Sequence, residues 1–237
     1  MNTNVINTLG IIGAMEEEII LLKNEMEVLT VIKKASMEFY QGTLSGKKVV
    51  IVKSGIGKVN AGICTQILID DFKVEGVINT GIAGSLKNEI NIGDIVVSTD
   101  ALQHDVDVRE FGYPLGQIPR MKELSFPADE RFIDCAFKSC RRVNPKIQVF
   151  KGRVVSGDQF IADKEVKDMI IKNFNAYCTE MEGAAIAQVA CLNHIPYVVL
   201  RAISDKADNS ATVDYPTFEK EAIEHSVKLV KEMVKSI

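Results

Sequence analysis

Short apolar runs alternate along this chain with longer stretches whose apolar positions recur every three to four residues. A run of four to eight apolar residues between turn formers reads as a buried strand, and the wider spacing, sustained, reads as an amphipathic helix. By these rules residues 9–14 form a strand and residues 16–24 a helix, with Ile19, Ile20, Leu21 and Leu22 on its apolar face. Residues 39–44 and 48–52 are strands around a Ser45-Gly46 turn. Residues 57–72 are helical, with Val59, Ile63, Ile67 and Leu68 in register. Residues 76–80 form a strand that enters a loop at Gly81-Ile82-Ala83-Gly84, and residues 94–98 form the next strand. Helices follow at 128–142, 164–172 and 182–194, and strands at 148–155 and 196–203. A last amphipathic helix, 215–235, carries Phe218, Ile223, Val227, Leu229, Val230 and Val234.

One segment breaks this rhythm. Residues 102–127 hold Gly112, Pro114, Gly116, Pro119 and Pro127 and show no period. Long irregular segments inside compact domains are usually functional or disordered. This one carries Phe111, Tyr113, Leu115 and Ile118, more large apolar groups than a solvated loop would expose, and it reads as docked on a partner or a ligand. Elsewhere strands alternate with helices, which implies βαβ units and a mostly parallel sheet covered on both faces. No linker or repeat interrupts the chain, so residues 1–237 read as one domain. Ligands of such sheets bind beyond the carboxyl ends of the strands.

Composition narrows the partners. The 237 residues are 46 % hydrophobic and 25 % charged, an ordinary globular balance, and the net charge is -4. Nucleic acid is disfavoured, because its phosphates call for a basic surface. The five cysteines, Cys64, Cys135, Cys140, Cys178 and Cys191, are odd in number and include no CxxC, which argues against a disulfide scaffold or zinc ribbon. No basic leader is visible and no apolar run reaches the roughly 18 residues of a membrane span, so a cytoplasmic location is expected.

The candidate chemistry follows strand ends. Glu16, Glu17 and Glu18 open a helix, where the macrodipole favours acids. Asp205 ends a strand expected at the sheet centre; partial desolvation there would raise its pKa and suit it to act as an acid, although an N-cap role explains it equally well. Glu180 and Glu182 precede the small residues Gly183, Ala184 and Ala185, which permit a close backbone approach. Gly55-Ile56-Gly57-Lys58 is neither a P-loop nor a GxGxxG motif and reads as a tight strand-to-helix turn. In an extended segment His104 and Asp105 point to opposite faces, so a metal site is not expected there.

Taken in order, these segments resemble a known family. Gly10-Ile11-Ile12-Gly13-Ala14-Met15-Glu16-Glu17-Glu18, Ser54-Gly55-Ile56-Gly57-Lys58-Val59 and Asn79-Thr80-Gly81-Ile82-Ala83-Gly84 are similar to the opening blocks of the 5′-methylthioadenosine/S-adenosylhomocysteine nucleosidases. Phe111-Gly112-Tyr113, Gly116-Gln117-Ile118-Pro119, Ser156-Gly157-Asp158-Gln159-Phe160-Ile161, Glu180-Met181-Glu182-Gly183 and Arg201-Ala202-Ile203-Ser204-Asp205 continue the likeness across nearly the whole chain. The resemblance implies a nucleoside-phosphorylase-like α/β fold with a central mixed β-sheet flanked by helices, a homodimer and no cofactor. It also implies roles. Asp205 protonates N7 of adenine, Glu18 positions the attacking water, and Glu182 holds the ribose hydroxyls beside Met181. Phe160 stacks on adenine, Ile161 reads its edge through backbone groups, Ser204 supports Asp205, and Gly84 belongs to the binding site. The 5′-thio substituent lies against Met15, Ile56 and Tyr215 of one chain and Phe111 and Pro119 of its partner. Two positions depart from the family pattern: Ile82 stands where a small hydroxyl residue is frequent, and Tyr215 where phenylalanine is common. Within this resemblance, cleavage of 5′-deoxyadenosine or aminodeoxyfutalosine is a further expectation. A phosphate-dependent phosphorylase and a non-catalytic nucleoside binder are the alternatives.

Overall fold

A computed structural model describes residues 6–237. The chain begins with β1 (Thr8–Gly13), α1 (Glu16–Glu25), β2 (Glu27–Lys34), β3 (Met37–Leu44), β4 (Lys47–Lys53) and α2 (Lys58–Asp70). It continues through β5 (Gly76–Ser85), β6 (Ile95–Gln103), a 3-10 turn at Arg109–Phe111, β7 (Phe126–Pro127), α3 (Glu130–Val143) and β8 (Val149–Ser156). It ends with α4 (Lys164–Phe174), β9 (Cys178–Glu180), α5 (Gly183–Leu192), β10 (Tyr197–Asp205) and α6 (Ala211–Ser236).

The strands form one mixed sheet rather than the mostly parallel one that alternation suggests. β5 is its hub, pairing in parallel with β1 and β10 and antiparallel with β9. β10 runs antiparallel to β6, β6 parallel to β8, and β8 parallel to β9, so five strands close on themselves. β4 extends the sheet from β1, followed by β3 and the edge strand β2. The core lies on both faces of the hub, with Ile11, Ile12, Val50, Ile51, Ile78, Val97, Val198 and Leu200 fully buried. Strands buried on both faces read as continuous apolar runs, and for that reason the sequence located them.

The structure departs from the sequence expectation at several elements. β5 does not break at Thr80; it continues, wholly buried, through Ser85. Gly81 and Gly84 give room here rather than a turn. A Cβ on Gly81 would fall 2.5 Å from Oε1 of Glu18, and one on Gly84 2.8 Å from Oδ1 of Asp205. β2 was not foreseen, because all eight of its residues are exposed and no alternation marks a buried face. The apolar row of α2 is split: Ile67 and Leu68 are buried, while Val59 is 72 % and Ile63 43 % exposed. The segment after β6 is irregular as expected, and part of it packs inward, with Gly116 and Gln117 buried, while Phe111 stands 81 % exposed.

Candidate active site

Several strands end around one cavity. Gly13 of β1 leads into α1, whose first turn carries three acids. Glu16 and Glu17 stay near solvent, but Glu18 turns inward and is only 5 % exposed. Its Oε2 accepts hydrogen bonds from the amides of Ala14 (2.6 Å) and Met15 (3.0 Å), and its Oε1 from the amide of Ile82 (3.2 Å). Three backbone donors fix both oxygens. β10 delivers Ser204 and Asp205; the Ser204 hydroxyl donates to Oδ2 of Asp205 at 2.8 Å, and the Ala207 amide to Oδ1 at 2.7 Å. β9 ends at Glu180, and Glu182 follows at the start of α5. The turn after β4 contributes the Gly57 amide, which donates to Oε1 of Glu182 at 2.8 Å. Gly57 holds this turn at φ +97°, a left-handed backbone that favours glycine.

Burial dominates the electrostatics. It raises the pKa of Glu18, against the opposing charge of Arg201 and the three amides. It pushes Glu182 up to about 8, helped by the negative charge of Glu180 and opposed by Arg201 and the Gly57 amide. It raises Asp205 above the usual carboxylate range, against its bonds from Ala207 and Ser204. Carboxyl groups tuned upward inside a cleft are the signature of acid–base chemistry near neutral pH.

The cavity measures about 400 Å³, the size of a small-molecule site. Met15, Glu18, Ile56, Gly84, Phe160, Met181, Glu182, Ser204, Asp205 and Tyr215 all line it, so ten expected residues from six strand ends and α6 meet there. Ile82, Ala83, Thr179 and Glu180 complete much of the wall. Ile161 is buried beside Phe160 but does not line the cavity. Phe111 and Pro119 are exposed and lie outside the lining of this chain's cavity. His104 is buried, and Asp105 pairs with Nζ of Lys58 at 2.6 Å. Among the described residues no cluster of three or more His, Cys, Asp or Glu is arranged to hold a metal ion.

Sequence reasoning gave no role to the layer beneath the cavity. Arg201 is 2 % exposed in the middle of β10. Its guanidinium donates to Oε2 of Glu180 and, at 2.6 Å, to Oδ1 of Asn79, whose side-chain amide donates to the Ile12 carbonyl at 3.0 Å. Glu180 also accepts from the Ser156 hydroxyl and from the amides of Glu182 (3.0 Å) and Gly183 (2.8 Å). Burial works against the charge on Arg201, but the carboxylates of Glu180, Glu18 and Glu182 outweigh it. A charged residue inside the run Val198-Val199-Leu200-Arg201-Ala202-Ile203 was the available signal, since a buried charge must be paired.

A mixed α/β sheet with acidic groups of raised pKa around an apolar cavity at its strand tips defines an enzyme for small organic substrates. Its family follows from likeness: residues 8–235 match the sequence model of the phosphorylase superfamily. A 5′-methylthioadenosine/S-adenosylhomocysteine nucleosidase of Anoxybacillus flavithermus is 45 % identical over 230 residues, covering 97 % of this chain and 98 % of that protein. The crystal structure of the nucleosidase of that name from Neisseria meningitidis, in complex with methylthio-immucillin-A, superimposes with a TM-score of 0.94 at 41 % identity, covering 98 % and 100 % of the two chains. A futalosine hydrolase of Helicobacter pylori superimposes with a TM-score of 0.91 at 35 % identity, covering 98 % and 99 %. The chain belongs to the 5′-methylthioadenosine/S-adenosylhomocysteine nucleosidase family of the phosphorylase superfamily.

Proposed function

We propose that this protein hydrolyses the N-glycosidic bond of 5′-methylthioadenosine and S-adenosylhomocysteine, releasing adenine and the 5′-thio-ribose. One observation carries the reading: four carboxyl residues line the cavity, Glu18, Glu180, Glu182 and Asp205, and no Lys, Arg or His does. Breaking this bond places positive charge on the sugar and negative charge on the departing purine. Asp205, whose raised pKa keeps its proton to higher pH, donates to N7 of adenine as the bond lengthens. Ser204 and the Ala207 amide hold its carboxyl in place. Glu182 has one oxygen on the Gly57 amide and the other facing the ribose hydroxyls, and the positive charge that develops on the sugar draws down its raised pKa so that the anion forms beside the cation. Glu18, fixed by three amides, orients the water that attacks the anomeric carbon. Phe160 covers the purine, and Met15, Ile56 and Met181 supply apolar surface for the sugar and its thioether.

The same wall argues against the phosphorylase alternative. A phosphate nucleophile needs cationic or bidentate donors, and carboxylates repel it. The deciding experiment is adenine release from methylthioadenosine with and without phosphate: hydrolysis gives equal rates, and a strict phosphate requirement would overturn the reading. Likeness to futalosine hydrolase supports cleavage of 5′-deoxyadenosine or aminodeoxyfutalosine as an additional activity, because the base and ribose contacts do not depend on the 5′ group.

The working unit in this proposal is a homodimer. Ile56, Val59, Ile63, Phe111, Leu124 and Leu192 are large apolar side chains left at least 36 % exposed, surface that a second copy would cover. Phe111 and Pro119 of one protomer then close the 5′ end of its partner's cavity. The five unpaired thiols suit a reducing compartment, and we place the enzyme in the cytoplasm, where removing these thio-nucleosides serves methionine salvage. Among the described residues no helix is long and apolar enough to cross a membrane.

A further inference from the structure

The cavity has a deep end and an open end. Asp205, Glu182 and Glu18 are no more than 6 % exposed, whereas Phe160 is 51 % and Ile56 53 % exposed and mark the mouth. Tyr215 stands at that mouth. Its ring meets Phe160 edge-on with centroids 5.9 Å apart, and its oxygen lies 3.4 Å from Sδ of Met15. One helical turn along α6, Oε1 of Glu219 lies 3.1 Å from the same oxygen. A phenol has a single proton, and a carboxylate is a stronger acceptor than a thioether. The proton therefore points to Glu219, and the lone pairs of the Tyr215 oxygen face the ligand side. Burial and the charges of Glu219, Glu18 and Glu17 all favour the neutral phenol, so this proton stays in place. Among the described residues neither Glu219 nor Glu17 forms an ion pair, so this chain's part of the rim carries uncompensated negative charge.

We propose that the Tyr215–Glu219 pair forms an acceptor subsite at the cavity mouth that selects 5′-thio substituents bearing an ammonium group. The inference rests on the hydrolytic reading above and adds a substrate preference to it. S-adenosylhomocysteine carries such a group, and methylthioadenosine does not. The phenol oxygen accepts from the ammonium, and the Glu219 carboxylate behind it supplies the attraction.

The test compares two synthetic nucleosides of matched length, 5′-(3-aminopropylthio)adenosine and 5′-(butylthio)adenosine, by adenine release. Wild type should favour the amine by about tenfold in kcat/KM, the order of one charge-assisted hydrogen bond. Tyr215→Phe, which keeps the ring, should bring the ratio close to one. Glu219→Gln, at a half-exposed position that does not threaten folding, should lower it about fivefold. Rapid cleavage with the same ratio in all three proteins would overturn the subsite and leave the hydrolytic reading intact. No adenine from either nucleoside with wild type would overturn both.

Discussion

Each end of this sheet carries a cavity, and the two differ in kind. At the amino ends of the strands a cleft of about 840 Å³ lies among Ile6, Val74, Glu75, Asp129, Pro196 and Tyr197. The cavity at the carboxyl ends has about 400 Å³, less than half of that. The larger cleft has acids too, but Glu75 sits in water, and the Asn7 backbone and side-chain amides hold its pKa low. Glu182, a residue of the same type, is buried beside Glu180 and pushed up to about 8. Asp129 caps α3 by accepting from the amides of Arg131 and Phe132, a structural task that uses its lone pairs. Volume alone therefore says little about chemistry. At the carboxyl ends of β1, β9 and β10 the chain turns so as to bury a carboxyl and aim backbone amides at it. At the amino ends its acids stay hydrated.

This contrast is easiest to break at Asp205. Asp205→Asn preserves the shape of the side chain and removes its proton, and turnover of methylthioadenosine should fall by about 10³-fold while calorimetry still detects ligand binding. Full activity in this variant would remove the acid from the account. Glu182→Gln should reduce turnover by about 10²-fold, since an amide cannot become the anion that the developing cation calls for. The same substitution sharpens the comparison through stability. The folded-state pKa of Glu182 lies above the 4.5 of an ordinary glutamate, so between that value and about 8 the folded state holds a proton that the unfolded state has lost. Stability from this group is present at low pH and is lost as pH rises through that window. Glu182→Gln should therefore melt about 5 °C above wild type at pH 8, with the difference vanishing near pH 5. A melting gap that is constant with pH would contradict the raised pKa.

Phe111→Ala addresses the open mouth of the cavity. Dimers should dissociate at about tenfold lower dilution in sedimentation, and KM for methylthioadenosine should rise by a similar factor. A fully active monomer would contradict the shared pocket. The smallest effect belongs to the other end of the sheet: Arg131→Ala, which removes an exposed partner of Asp129, should change kcat/KM less than about twofold.

How far the sequence revealed this arrangement depends on how each residue is buried. The central strands were legible because burial on both faces leaves continuous apolar runs such as Val49-Val50-Ile51-Val52. β2 was not, because its Val28, Leu29, Val31 and Ile32 are exposed and follow no period that points to a core. The extension of β5 was hidden by Gly81 and Gly84, residues that usually signal a turn and here make space for Glu18 and Asp205. The cavity residues were found through ordered motifs, and spacing alone would have left Glu18 as one of three equivalent helix-start acids. What separates it from Glu16 and Glu17 is an inward rotamer met by three amides from two chain segments, a tertiary fact. The Arg201–Glu180–Asn79 layer was missed for the same reason: its partners are 21 and 122 residues apart in sequence.

The central claim concerns where one ligand lies relative to three carboxyls. A crystal structure with methylthio-immucillin-A bound tests it directly. The expected complex places the base within hydrogen-bond distance of Asp205, the sugar-mimicking ring beside Glu182 and Glu18, and the methylthio group between Met15 and Tyr215. A ligand seated with its base away from Asp205, or in the amino-end cleft, would contradict the account.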